Sequence, residues 1–410
     1  MRPAALAALL AATSVLAAGG PARAQDRPEV PPWSQDPPPR VPARDTPAPR
    51  VGLRWDRWYH VHELTDALRR IETAFPDLVR VERFGTSVEG RELLVATVTE
   101  GGDPDAKPAF WCDGNIHGNE VQGAEACLYL IWWLCENRGL PRVRELLAER
   151  TFYVAPTINP DGRAHWFDAP NTMHSSRGGK RPVDDDRDGR FDDDPPNDLD
   201  GGGEILQMRV RDPGGAWRTH PEDPRLMVPV EPGETGEWRL LGEEGIDDDG
   251  DGRVNEDGPG GYDPNRDWPA DWRGPAEQHG AGPYPVSLPE TRAVVDFVLA
   301  HPNIAGFQSF HNTGGMILRG PGSRSAGETY PAPDERVLRA LAERGEKQLP
   351  FYRSMVIWKD LYQVHGGEVN FAYETLGIFA FTNELGSRRQ YLQGAGGGDG
   401  EEERLAFEGA

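Results

Sequence analysis

Ala109-Phe110-Trp111-Cys112 is an apolar quartet that runs straight into Asp113-Gly114-Asn115-Ile116-His117-Gly118-Asn119-Glu120. The quartet is short, apolar and bounded by polar turn residues, so it predicts a buried strand. The polar octet predicts a loop at the strand's carboxyl end, with Gly114 and Gly118 letting the backbone turn sharply. From Glu120 to Asn137 the pattern is helical, with Leu128, Ile131 and Leu134 on one face. A strand, a polar loop and a helix in that order are one unit of an α/β sheet.

The same alternation extends in both directions. Residues 60–74 place Leu64, Leu68 and Ile71 at helical spacing, and Pro76 follows as a stop. Val79 to Val98 holds two strand-like runs around Ser87-Val88-Glu89-Gly90. Thr151 to Ile158 is a second buried strand, ending at Asn159-Pro160-Asp161-Gly162. Residues 163–286 break the pattern, being rich in Gly, Pro and Asp. Order resumes at Ser287-Leu288-Pro289-Glu290, which has the form of a capping box. Ile304 to Phe310 is a strand running into His311. A helix over 334–349, a strand over 354–358 and a short helix over 368–375 precede the last buried strand, 378–385. Near-continuous apolar strands alternating with helices indicate an α/β sheet covered on both faces. In such sheets, ligands bind beyond the strands' carboxyl ends, where His117, Asn159, His311 and Glu384 all fall.

The 410-residue chain has 44 Lys and Arg against 67 Asp and Glu, a net charge of −23. That balance argues against nucleic acid or an anionic membrane as partner. Residues 1–24 read as a signal peptide, with Arg2, a short apolar run and the small-x-small site Ala22-Arg23-Ala24, so the expected location is secreted or periplasmic. Residues 25–50 are a Pro-rich linker, 51–393 the folded domain and 394–410 a flexible tail. Three cysteines, Cys112, Cys127 and Cys135, are too few for a disulfide framework. Cys112 could pair with one of the others, but buried thiols are the simpler expectation.

A catalytic zinc takes three ligands from His and Glu or Asp, with one position open. His117 and Glu120, three apart at a helix start, can converge on one ion, and His311 supplies a third ligand from a later strand. Four residues of H-x-x-E are a weak signal alone, and a helix N-terminus with a favourably placed glutamate explains them better.

The ordered set of motifs resembles the zinc carboxypeptidases of the M14 family from about Trp58 to Leu385, apart from the insertion. Ser87-Val88-Glu89-Gly90-Arg91 resembles the strand before the metal site, and His117-Gly118-Asn119-Glu120 the first two ligands. Asn159-Pro160-Asp161-Gly162 is a family signature, and Asn265-Arg266-Asp267-Trp268 resembles the carboxylate-binding motif. His311 resembles the third ligand. Tyr362 and Phe381-Thr382-Asn383-Glu384-Leu385 resemble the mobile tyrosine and the general base. The resemblance implies a mixed, mostly parallel eight-stranded sheet flanked by helices, and a zinc peptidase acting on peptide or protein C-termini.

It also implies roles. Glu384 would be the base and acid, its pKa lifted by partial burial at a strand end. Asn265 and Arg266 would hold the substrate's terminal carboxylate, a task suited to the arginine fork. Arg177 or Arg181 would stabilise oxyanion charge, with Arg177 preferred. Tyr362 is preferred to Tyr373 for the closing tyrosine because it lies 22 residues before Glu384 (384 − 362). Val369 would lie at the base of the side-chain pocket and favours apolar or aromatic terminal residues, while its neighbour Glu368 keeps a basic preference open. One departure is Asn119, where digestive members have arginine; it removes a secondary substrate contact.

Within the irregular insertion, about 180–260, residues 184–194 are nearly repeated at 247–257 in the register D-x-D-x-D-G-R-x-[DN]-x-D. Alternating carboxylates followed by Gly form the first half of a calcium loop. The expected calcium ligands are Asp184, Asp186, Asp188 and Asp192 in one copy, and Asp247, Asp249, Asp251 and Asn255 in the other. Neither copy is a complete EF-hand, and Asp194 and Asp257 could close the sites. A solvated acidic loop is the competing expectation. Two other functions stay open: an amidase acting on cell-wall peptides, and a non-catalytic, calcium-stabilised binding module. Retention of His117, Glu120, His311 and Glu384 counts against the second.

Overall fold

The computed structural model describes residues 48–170, 177–184, 187–349 and 352–386. The expected signal peptide, most of the linker, the tail and Asp186 lie outside these residues. Helix α1 (Val61–Ala74) precedes strands β1 (Val79–Thr86), β2 (Glu92–Val98) and β3 (Ala109–Gly114). Helices α2 (Gln122–Glu136) and α3 (Pro141–Glu149) lead to β4 (Thr151–Ala155) and α4 (Pro160–Asp168). After the insertion come α5 (Pro289–Ala300), β9 (Ile304–Asn312), β10 (Met316–Arg319), α6 (Ala332–Gln348), β11 (Arg353–Val356), the short α7 (Glu368–Asn370) and β12 (Phe379–Leu385).

The eight strands form one mixed sheet in the order β1-β2-β4-β3-β9-β12-β10-β11. Its centre, β4-β3-β9-β12, is parallel. Strand β3 shows why its run is apolar throughout: Phe110 and Cys112 pack with α1 and α2 on one face, while Ala109 and Trp111 pack with α5 and Phe307 on the other. Both faces are covered, so neither alternate position can be polar. The three thiols are free and buried, with Cys112 and Cys127 sulfurs 3.9 Å apart.

Several local expectations are corrected. Neither Gly114 nor Gly118 takes the turn after β3; Asn115 does, with φ 58°. Gly114 is needed instead for close packing, because a Cβ there would lie 2.5 Å from the carbonyl carbon of Gly123. Helix α2 begins at Gln122 rather than Glu120, so His117 and Glu120 sit on a turn closed by Glu120 N–H donating to His117 O (3.1 Å). The expected capping box does not form. Asp267 captures the start of α5 by accepting from Ser287 N, Ser287 Oγ and Leu288 N (3.0, 2.7 and 2.9 Å). Glu290 is drawn to Val88 N (2.9 Å).

The insertion is not wholly irregular. Strands β5 (Gln207–Arg211), β6 (Trp217–Thr219), β7 (Met227–Pro229) and β8 (Trp238–Glu243) form a separate antiparallel sheet in the order β5-β8-β6-β7. Every residue of β5 is exposed, so no buried face imposes a hydrophobic period on it.

The family-type motifs fasten the sheet's loops together. Asp161 is fully buried and accepts from Ser87 Oγ (2.6 Å), Glu89 N (2.8 Å) and Arg91 Nη1 (2.8 Å). Asn159 caps α4 through Gly162 N (2.8 Å) and donates to Ile116 O and Gly178 O (both 3.0 Å). Arg163, also fully buried, pairs with Glu125 (2.6 Å) and donates to Val121 O (2.9 Å) and Asn115 Oδ1 (3.2 Å). The loop carrying His117 is thereby held from three directions.

Candidate active site

His117, Glu120 and His311 are buried and offer one ligand atom each, all within 4.8 Å of one another. His117 Nδ1 lies 2.7 Å from Glu120 Oε1 and His311 Nδ1 3.0 Å from Glu120 Oε2. His117 comes from the loop after β3, and His311 from the end of β9, its neighbour in the sheet. The other nitrogen of His117, Nε2, is 3.1 Å from Asp263 Oδ1. That contact fixes the ring and directs Nδ1 at the cluster, as metal-ligating histidines require. Burial opposes the charge on His117, but Glu120 and Asp263 outweigh it and push its pKa up to about 9. Burial would raise the Glu120 carboxyl, yet the two imidazoles hold it well below the usual carboxylate range. Two imidazoles and a carboxylate, dry and convergent, are the donor set of a catalytic zinc.

The cluster opens into a cavity of about 250 Å³. Arg177, Asn265 and Arg266 form one part of its lining and Glu384 another; Leu318, Ile357 and Val369 supply apolar surface, and Tyr362 is half-exposed at 51 %. Glu384 reaches the site because β12 pairs in parallel with β9 in the register Glu384 opposite His311. Burial raises its pKa; the positive influence of His311 opposes this and Glu120 adds to it. Arg266 is buried and donates to Asn265 O (2.7 Å). The side-chain oxygen of Asn265 accepts from Glu368 N (2.9 Å).

Arg177 reaches Glu120 and Asp263, both at 3.3 Å. Arg181 is elsewhere, donating to Ser287 O (2.9 Å) beside Tyr262 and Tyr284. Tyr373 is likewise away from the cavity, its hydroxyl on Asp334 (2.8 Å). Asn119 is exposed and not part of the lining.

Two features were missed in the sequence. Asp263 holds His117 and Arg177 and also accepts from Asn265 N (2.8 Å); its carboxyl is held well below the usual range despite burial, by Arg266, His117 and Arg177. Its position two residues before Asn265 was the available signal, obscured by the acidic surroundings. The second is a buried acid pair. Ser309 Oγ lies 2.7 Å from Asp113 Oδ1 and 2.9 Å from Glu368 Oε2. Burial lifts both carboxyls, and Asp113 adds to the rise at Glu368.

The expected calcium ligands divide. Asp188, Asp247, Asp249 and Asp251 belong to groups of converging carboxylates. Asp192 is turned to backbone, accepting from Val183 N and Gly260 N (both 3.1 Å). Asn255 does the same, accepting from Asn197 N (3.1 Å) and donating to Glu244 O (2.8 Å). Asp184 accepts from Gly189 N (3.2 Å) and joins no converging group among the described residues.

Fold and geometry together place a His-Glu-His group that could hold a metal ion at the carboxyl edge of an α/β sheet. Residues 64–198 and 241–395 match the zinc carboxypeptidase family model, and the chain belongs to that family. Residues 199–240, which carry most of the extra sheet, fall between the matched segments. Mouse carboxypeptidase D is 39 % identical over 110 residues, covering 25 % of this chain and 8 % of that protein; the chain thus spans a small fraction of that relative's length. Mouse carboxypeptidase A2 is 23 % identical over 337 residues, 80 % of this chain and 62 % of the other. The fold resembles thrombin activatable fibrinolysis inhibitor (TM-score 0.57, 19 % identity, 84 % of this chain and 73 % of that one). It also resembles carboxypeptidase A from Helicoverpa armigera (TM-score 0.54, 19 % identity, 83 % and 68 %).

Proposed function

We propose that the protein is an exported carboxypeptidase that removes single residues from the C-termini of peptides. The observation that carries this reading is the buried guanidinium of Arg266 in the lining of the cavity that holds His117, Glu120, His311 and Glu384. A cation fixed beside the hydrolytic groups suits a substrate that brings its own carboxylate, and the arginine fork recognises that group in two hydrogen bonds.

His117, Glu120 and His311 would hold zinc, which supplies a Lewis acid for the scissile carbonyl and lowers the pKa of a water. Glu384, its pKa raised by burial, would act as base toward the attacking water and as acid toward the departing amine. Arg177, partly exposed beside Glu120, donates to the carbonyl oxygen as negative charge develops. Tyr362 folds over bound substrate and excludes water. Asp263 orients His117 and Arg177 together, so one carboxylate sets two of these groups.

The preferred terminal residue is apolar or aromatic. Leu318, Ile357 and Val369 supply apolar lining, and burial and Asp113 both disfavour a charge on the Glu368 carboxyl. Export rests on residues 2–24, and among the described residues no helix is long and apolar enough to cross a membrane.

Purified zinc-loaded enzyme should cleave peptides ending in Phe or Leu faster than those ending in Lys or Arg. It should not cleave the same peptides with an amidated C-terminus. Equal turnover of the amidated peptides would refute the carboxylate clamp, and cleavage of muropeptides alone would replace the reading with a cell-wall amidase.

A further inference from the structure

The described residues of the two acidic repeats make matching local hydrogen bonds and pack against each other. Gly189 N donates to Asp184 Oδ2 (3.2 Å) and, at the matching place, Gly252 N to Asp247 Oδ2 (3.1 Å). Arg190 N donates to Asp188 Oδ1 and Arg253 N to Asp251 Oδ1, both at 2.7 Å. Asp192 and Asn255, which correspond, both have positive φ, 54° and 62°. Across the junction, Asp257 N donates to Asp194 O (3.2 Å), Asp193 N to Asp257 Oδ2 (3.1 Å) and Asp248 N to Asp194 Oδ1 (3.4 Å).

This packing brings carboxylates of both copies together. One group is Asp194, Asp249 and Glu256, and a second is Asp188, Asp193 and Asp249. In the first, Asp194 is buried and Asp249 and Glu256 are partly buried. Asp194 is 0 % exposed. Its Oδ2 is buried without a hydrogen-bond partner, and so are both carboxylate oxygens of Glu256. Desolvating carboxylates against one another without a cation is strongly unfavourable. Repeat 184–194 has seven acids and two arginines, and repeat 247–257 six acids and one arginine.

We infer that Asp194, Asp249 and Glu256 form a calcium site shared between the two repeats, closing the neck of the insertion. The donors are all hard oxygens, which suits calcium or magnesium and not zinc. Calcium fits better, because Asp249 belongs also to the group with Asp247 and Asp251. A high count of carboxylates in irregular array matches calcium's six to eight ligands, whereas magnesium keeps most of its water. Of the per-copy sets expected from the repeat register, Asp247, Asp249 and Asp251 also converge, whereas the shared set needs both copies. It lies where the chain leaves and re-enters the main domain: Lys180 Nζ donates to Pro259 O and Gly179 N to Tyr262 O, both at 2.8 Å. Arg177 and Asp263 flank that crossing.

The test uses the full chain, zinc-loaded and stripped of calcium, titrated with calcium chloride and separately with magnesium chloride by calorimetry and thermal unfolding. Calcium should bind saturably, raise Tm, and bind at least tenfold more tightly than magnesium. Asp249→Asn and Glu256→Gln should each weaken calcium at least tenfold, while Glu222→Gln, an exposed acid elsewhere in the insertion, should titrate like wild type. Absence of saturable binding and of any Tm rise in wild type would overturn the site, with no variant needed. Wild-type affinity in both Asp249→Asn and Glu256→Gln would overturn the ligand set, and equal magnesium affinity would overturn the choice of ion.

Discussion

Replacing Glu290 with Gln should stabilise the protein at alkaline pH and leave it nearly unchanged in mild acid. Glu290 is the second residue of α5 and is 2 % exposed. One carboxylate oxygen accepts from Val88 N (2.9 Å), and the other is buried without a partner. Burial, with smaller contributions from Asp161 and Asp267, pushes its pKa from 4.5 up to about 7. An acid whose pKa is higher folded than unfolded lowers stability as pH rises, because the unfolded chain ionises first. Below 4.5 both states are protonated and nothing is lost. Between 4.5 and 7 stability falls, and above 7 the deficit is constant. At about 1.4 kcal/mol per pH unit, the full gap is worth about 3 kcal/mol.

A helix N-terminus favours a negative charge by about 0.3–1 kcal/mol, which offsets part of that. Burial is the larger effect, leaving a net gain of about 2 kcal/mol for Glu290→Gln at pH 8. The amide oxygen can still accept from Val88 N, so no hydrogen bond is lost. Urea unfolding of both proteins at pH 5 and pH 8 measures the difference directly. A gain at pH 8 that shrinks below about 1 kcal/mol at pH 5 is expected. A variant that is equally or less stable than wild type at pH 8 would refute the claim that Glu290 is an uncompensated buried acid.

Asp263→Asn should weaken zinc binding about ten- to a hundredfold, measured by chelator competition, because His117 Nε2 loses its anionic partner; unchanged affinity would show that the ring is held otherwise. Arg163→Met should cost about 3–5 kcal/mol by leaving Glu125 buried and unpaired, and adding Glu125→Gln should restore much of it in denaturant titrations. Gly114→Ala should destabilise by about 1–3 kcal/mol, since its Cβ would meet backbone rather than a movable side chain; a wild-type Tm in this variant would contradict the close approach to Gly123.

What could be read in advance follows a physical division. β3, β4 and most of β9 were visible because both their faces are buried, and β12 because it opens on the apolar run Ile378 to Phe381. The loop after β3 carries His117 and the ends of β9 and β12 carry His311 and Glu384, and the parallel pairing of β3, β9 and β12 turns three distant segments into one site. β10 was not seen: four residues between Gly314-Gly315 and Gly320-Pro321 are too few for a period to show. β5 was not seen because nothing buries it.

The failures at polar positions have a different cause. Ser287 and Glu290 have the form of a capping box, a local pattern, yet Asp267 and Val88 outbid them from 20 and 202 residues away. A local motif is one of several possible partners for a donor, and a buried acid with several well-placed donors prevails over it. Asp263 illustrates the same rule at the active site, meeting His117 across 146 residues. Sequence spacing therefore reports the side chains that must converge on a metal, but not the carboxylate that aims them. That carboxylate is chosen by the sheet order, which decides the loops that meet. Glu290 carries the cost of this competition: with its capping role taken by Asp267, it is buried as an acid with half its hydrogen-bonding capacity unused.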